Sequence, residues 1–176
     1  SWQKILQTIC AADRLTDDSA YQPQSTWFLL GEIMQRLDSR GRNYQQILTE
    51  DVLQPLGMDN VWCGLPQEAV SSVSDRLPDY WTRERGQLVP SPYAASPWLN
   101  APSPGGNLRG PVSALGRFYE MLMKGGQLPN GAPFLSSGTV NSMTTRHRVG
   151  QFDQTLQHVV DFGLGLIVDS NHHGAG

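Results

Sequence analysis

Apolar side chains recur at three- and four-residue intervals along much of this chain, and each such stretch predicts a helix with one buried face. Trp2, Ile5, Leu6, Ile9 and Cys10 place a helix over roughly 2–13. The polar run Thr16-Asp17-Asp18-Ser19 breaks it, and Pro23 disfavours helix at Gln22, so Tyr21 falls in an irregular segment. A second helix runs from Ser25 to about Ser39, with Ser25 or Thr26 as N-cap and Trp27, Leu30, Ile33, Met34 and Leu37 as its apolar stripe. Asn43 is placed to cap a third, whose buried face is Tyr44, Ile47, Leu48 and Val52 and which ends before Pro55. Val61-Trp62-Cys63 reads as a short strand or an apolar anchor.

The pattern changes from Leu88 to Pro111, where six of the twelve prolines and the pair Gly105-Gly106 predict a long loop anchored by Tyr93, Trp98 and Leu99. Pro111 then opens a fourth helix lined by Val112, Leu115, Phe118, Tyr119 and Leu122 and stopped at Gly125-Gly126. Ser136 or Ser137 caps a fifth, ending near Thr145. Phe162-Gly163-Leu164-Gly165-Leu166-Ile167-Val168 reads as one buried strand. The expected chain is therefore mainly α, with about five helices and one or two strands. A lone apolar strand needs partners, so the rest of its sheet is expected to lie outside these residues.

Composition narrows the function classes. The formal charge is −3, which leaves no basic footprint for nucleic acid or an anionic membrane. No apolar run approaches the ~20 residues of a membrane span, and Ser1-Trp2-Gln3-Lys4-Ile5-Leu6 opens directly into an amphipathic pattern with no signal-peptide layout. Cys10 and Cys63 lack metal-type spacing and read as buried free thiols. No cofactor or metal site is expected, and compartment is not legible.

Several segments resemble one family. Tyr21-Gln22-Pro23 followed by Trp27-Phe28-Leu29-Leu30-Gly31-Glu32-Ile33-Met34 is similar to the stretch after the second catalytic motif of serine β-lactamase-related esterases and penicillin-binding proteins. Gln54-Pro55-Leu56-Gly57-Met58-Asp59-Asn60-Val61 resembles that superfamily's Pro-Leu-Gly-Met signature, the most specific of the matches. Gly105-Gly106-Asn107-Leu108, Leu115-Gly116-Arg117-Phe118-Tyr119 and Phe162-Gly163-Leu164-Gly165 follow in the family's order. The resemblance implies the helical region of the α/β serine β-lactamase-like fold over 1–160. It implies a strand and third-motif edge of a truncated sheet domain over 161–176.

It also implies acyl-enzyme chemistry on small-molecule esters, amides or β-lactams, resting on three motifs. The first is Ser-x-x-Lys, the second Tyr-x-Asn, the third Lys-Thr-Gly or His-x-Gly. Tyr21 matches the catalytic tyrosine, while Pro23 stands where the asparagine belongs. His172-His173-Gly174 fits the His-x-Gly variant, with His172 in the catalytic position and Gly174 at the substrate edge. Ser1-Trp2-Gln3-Lys4 fits the first motif as letters only; it lies twenty residues before Tyr21 and looks like an ordinary helix start. The nucleophile is therefore expected to be absent, and the chain inactive by itself.

Each candidate has a plainer rival. The rival reading of Tyr21 is a packing tyrosine at a helix entrance, and that of His172 a terminal polar residue. The pair His172-His173 alternates across a strand and lacks a carboxylate at helical or hairpin spacing, which argues against a metal. Asp153, Asp161 and Asp169 read as solvated acids, Arg109 and Arg117 as surface cations, and Trp62, Trp81 and Trp98 as groove or anchor residues. A second function class stays open: a non-catalytic penicillin-binding-like module that binds or scaffolds.

Overall fold

A computed structural model describes residues 1–12, 19–23, 25–91 and 98–168. Its first layer is three helices, α1 (Trp2–Ala11), α2 (Ser25–Leu37) and α3 (Tyr44–Leu48). Asn43 caps α3 in a reciprocal box with Gln46, so the local sequence alone fixes that start. A π-helical turn, Thr49–Leu53, extends α3 to the Pro55-Leu56-Gly57 bend, where Gly57 takes φ +61°. Trp2 holds the layer together. Its ring lies 4.9 Å from that of Phe28 and 5.9 Å from that of Tyr44, and its indole N–H donates to Glu32 at 2.8 Å. Gly31 lies beneath it, where a Cβ would come within 2.9 Å of the indole.

This packing turns α2 away from its expected register. The buried positions are Phe28 and Gly31, and Glu32 faces Trp2. The predicted stripe is on the outside, with Leu30 51%, Ile33 52%, Met34 41% and Leu37 78% exposed. The periodicity is real, but nothing among the described residues covers it.

The principal core joins Leu53, Leu56, Met58 and Val61 to Ala114, Met121 and Leu122 of α5 (Val112–Met123) and Val140 of α6 (Ser137–Thr144). Helix α5 also departs from expectation: Val112, Leu115 and Tyr119 are exposed, and the inner face is Ala114, Phe118, Met121 and Leu122. Two apolar stripes compete on this helix, and the one bearing Met121 reaches the core. Positive φ at Gly125 (+64°) and Gly126 (+95°) ends it as predicted. The Ser136 side chain caps α6 through Thr139 N–H.

A second cluster, Leu65, Val73 and Leu99, involves a helix the pattern did not reveal, α4 (Gln67–Val73). Strand β1 (Trp62–Cys63) pairs antiparallel with β4 (Leu108–Arg109). Strands β2 (Trp81–Glu84) and β3 (Gln87–Pro90) form a hairpin, so the expected loop begins later than Leu88. Arg85 and Gly86 close it with φ +48° and +84°, the mirror-image turn that matches strand twist. Strands β5 (Phe152–Asp153) and β6 (His158–Val159) form the third ladder.

The predicted strand over Phe162–Val168 is instead a tight reversal. Phe162 bridges Ile167, Gly163 N–H donates to Leu166 at 2.8 Å, and Gly165 takes φ +81°. Gly163 and Gly165 permit the turn, and Leu164 and Ile167 are exposed. The described residues thus hold six α-helices and three short ladders, more of both than expected. Cys63 is buried as anticipated, whereas Cys10 is exposed. No described helix is long and apolar enough to cross a membrane.

Candidate active site

Tyr21 sits in irregular chain before α2, its ring half-buried and stacked on Phe162 with centroids 6.0 Å apart and planes 16° from parallel. The phenol forms one wall of a cleft of about 460 Å³. Thr26, Trp27, Arg148, Phe162 and Ile167 line the remainder. The Arg148 guanidinium lies over the Phe162 ring, 4.3 Å from its centroid. The reversal at 162–167 therefore brings Phe162 and Ile167 to the cleft that holds the tyrosine.

Asp153 fastens this arrangement. Its fully buried carboxylate accepts from Arg148 Nη2 at 2.7 Å and from the Thr155 and Leu156 N–H groups at 2.9 Å each. It also accepts from the Tyr21 backbone N–H. Burial, the largest influence, pushes the acid's pKa up, but these donors together outweigh it and hold the pKa below the ordinary carboxylate value. Gln154 N–H donates to the Ser19 carbonyl at 3.0 Å, and the Ser19 hydroxyl bonds Gln151. Residues 19–21 are thereby tied to the 151–156 loop.

The solvated reading of Asp153 and Asp161 is corrected here, since both are buried. Asp161 accepts from Gly150 N–H at 2.8 Å and pairs with Arg146 at 3.1 Å. The sequence carried a signal for this: Arg146 and Arg148 supply two cations to a segment that holds both acids.

The glycine-rich loop backs the other side. A Cβ at Gly105 would strike the Pro23 carbonyl and come within 2.7 Å of the Trp27 indole, so only glycine fits there. Buried Asn107 folds the loop by donating its amide to the carbonyls of Trp98 at 2.8 Å and Ala101 at 2.6 Å. The Trp27 indole N–H and Arg148 Nε, both on cleft-lining residues, are buried without a hydrogen-bond partner among the described residues.

Other predicted residues fall elsewhere. His172 and Gly174 lie outside the described residues, as does Asp169. Ser1 starts α1, its carbonyl accepting from Ile5 N–H at 3.2 Å, and Lys4 is exposed on the same turn. Trp62 and Arg109 line a separate cleft of about 340 Å³, where the Arg109 guanidinium lies 5.0 Å from the Tyr80 ring centroid. Trp81 and Trp98 are exposed, and Arg117 bonds the Gly57 carbonyl.

A tyrosine leading into a helix, a glycine-rich loop beneath it and a Pro-Leu-Gly-Met bend define part of a β-lactamase-type fold. The family model described as Beta-lactamase matches residues 16–176, and the chain belongs to that family. Among solved structures it is similar to a penicillin-binding protein homologue from Caulobacter crescentus, at 26% identity and TM-score 0.69, covering 94% of this chain and 47% of that one. It is also similar to a family VIII carboxylesterase, at 21% identity and TM-score 0.77, covering 95% and 47%. An octameric penicillin-binding protein homologue from Pyrococcus abyssi matches at 17% identity and TM-score 0.60, covering 96% and 40%. The chain thus spans about half the length of these structures or less. No curated protein sequence matches it significantly.

Proposed function

We propose that this chain is the tyrosine-bearing part of a serine hydrolase that acts through an acyl-enzyme on small esters, amides or β-lactams. Residues 1–160 form its helical region, and 161–176 the edge that carries His172 and Gly174. The observation that carries the reading is the Tyr21 ring lining an open cleft, with its backbone held by a buried carboxylate.

In such chemistry a serine hydroxyl attacks the substrate carbonyl, and its proton moves through neighbouring amine and phenol groups. A free phenol titrates near ~10 and is a poor base at neutral pH, and an adjacent ammonium favours the phenolate. Neither of the chain's two lysines lines the Tyr21 cleft: Lys124 pairs with Glu120 at 2.6 Å, and Lys4 is exposed on α1. On this reading the nucleophile and its lysine belong to polypeptide outside these residues, and the chain alone forms no acyl-enzyme. Mass spectrometry after treatment with a fluorophosphonate or a penicillin tests this, with no adduct expected. A stoichiometric adduct on Ser1 would overturn it.

His172 in place of lysine sets a preference. A histidine near ~6.5 is mostly neutral at pH 7, so it holds a substrate carboxylate less firmly than a permanent cation. The natural-length protein is expected to turn over p-nitrophenyl esters faster than nitrocefin, and the reverse order would refute the assignment. One observation favours a second reading, a binding module without catalysis: Pro23 offers no side-chain amide where the motif has asparagine. A natural-length protein that binds penicillin reversibly without acylation would support the module.

A further inference from the structure

We infer that the second cleft, lined by Trp62, Tyr80 and Arg109, is a binding site for a small molecule with an apolar body and a single carboxylate. The inference goes beyond the Tyr21 reading and does not depend on it.

The shape and lining of the cleft suggest such a ligand. Its volume of about 340 Å³ suits one small molecule, and small-molecule sites are mostly apolar with a few placed polar groups. Buried Leu65 and Val73 line it together with Trp62 and Leu77, and the Tyr80 ring adds an aromatic face. Among the described residues its charged lining consists of two arginines, Arg76 and Arg109. Asp75 and Asp79, the acids nearest in sequence, are exposed and do not line it.

Arg109 is oriented by its surroundings. Buried Asn107 commits its amide N–H groups to the carbonyls of Trp98 and Ala101, which leaves its Oδ1 to accept from Arg109 Nε at 2.9 Å. The guanidinium also lies 5.0 Å from the centroid of the Tyr80 ring. A guanidinium fixed at its Nε and against a ring is pre-organised, so its terminal amino groups meet a carboxylate at a small cost in freedom. Arg76 alone would be an ordinary solvated cation. Facing the same apolar-walled space as an oriented arginine, it makes the cleft cationic, and charge then selects the acid among apolar ligands.

Calorimetric titration of the natural-length protein with phenylpropionate tests the site, with phenylpropanol as the uncharged counterpart. Saturable binding of the acid is expected. Affinity should be about tenfold weaker for the alcohol, and about tenfold weaker for the acid in Arg109→Gln, the loss that follows from one hydrogen bond to a charged group. Arg76→Gln changes an exposed position, so circular dichroism should be unaltered while the affinity falls by a smaller factor. That variant decides the matter if Arg109→Gln fails to fold. No saturable binding at millimolar acid, equal affinity for acid and alcohol, or wild-type affinity in the deciding arginine variant would each overturn the inference. An acid-binding protein that is never acylated would keep this site and remove the hydrolase reading; an acylated protein that ignores the acid would do the reverse.

Discussion

Arg148 donates to the buried carboxylate of Asp153 at 2.7 Å while its guanidinium lies over Phe162, the ring on which Tyr21 stacks. Asp153 in turn accepts from the backbone of Tyr21. Tyr21 is therefore held twice, at its main chain by an acid and at its ring by an arene that a cation covers. Neither support comes from its own helix. The orientation of the phenol depends on a loop more than a hundred residues away in sequence, in which the nearby Ser19–Gln151 pair alone spans 132 positions.

Removing the acid should loosen both supports. Asp153→Asn keeps the volume but leaves Arg148 without a counter-charge in a largely buried place, at a cost of about 3 kcal/mol. A lower urea midpoint by circular dichroism is expected. The pH dependence has a definite sign: a carboxylate held below its unfolded value stabilises above ~pH 4 and loses that contribution as pH falls through its folded pKa. The gap between wild type and variant should therefore narrow in acid. A gap that stays constant from pH 6 to pH 3 would sink the account.

The close approach of Gly105 to Pro23 makes a second prediction. Gly105→Ala places a methyl group against the Pro23 carbonyl and the Trp27 indole, and overpacking of this kind costs about 1–3 kcal/mol. The next residue serves as a control, because a Cβ at Gly106 meets nothing within 4 Å. Thermal unfolding should separate the two variants clearly, and tryptophan emission should change only for Gly105→Ala. Equal destabilisation by both would show that the loop, not the contact, sets the cost.

The contrast between what the sequence revealed and what it hid follows the range of each interaction. Asn43 and Gln46 close their capping box within one turn, and Gly125 and Gly126 stop α5 by their own backbone freedom, so both were legible. The motif order likewise pointed to the family. The stripe on α2 was legible as a stripe, but periodicity does not say which neighbour covers it, and Trp2 with Gly31 buries a different side. The Phe162–Val168 segment looked like a strand because its residues are apolar, yet glycines at 163 and 165 turn it back on itself. Asp153 was misread because its partners at Tyr21 and Arg148 are assembled only by the fold.

Arg42 joins the end of α2 to the turn after α3, and its loss should be felt more than that of a surface pair. It reaches Asp38 at 2.7 Å, Asp51 at 2.6 Å and Glu50 at 2.9 Å, and its side chain and that of Asp38 are each only 10% exposed. Hydrogen bonds from the Arg42 side chain and then its backbone bring the Asp38 carboxyl down to about 2. Arg42→Ala should lower the thermal midpoint more than Arg36→Ala, whose cation is 74% exposed. Because Asp38 and Asp51 are both held below the ordinary range by Arg42, their contribution exists above ~pH 4 and fades toward pH 2. Midpoints of wild type and Arg42→Ala should converge in that window.

The two thiols give the simplest check on the packing of β1 against the glycine-rich loop. Burial raises the pKa of Cys63, and its Sγ–H donates to the Ser103 carbonyl at 3.5 Å, the contact that partly offsets the rise. Cys10 is exposed on α1. Thiolate is the reactive form, so an aromatic disulfide reagent at pH 8 should consume one thiol quickly and the second only as fast as the chain opens. Adding urea should accelerate the second phase alone, and Cys10→Ser should abolish the first. Rapid labelling of Cys63 in the native chain would mean that the β1–β4 ladder and the loop over it are not closed as described.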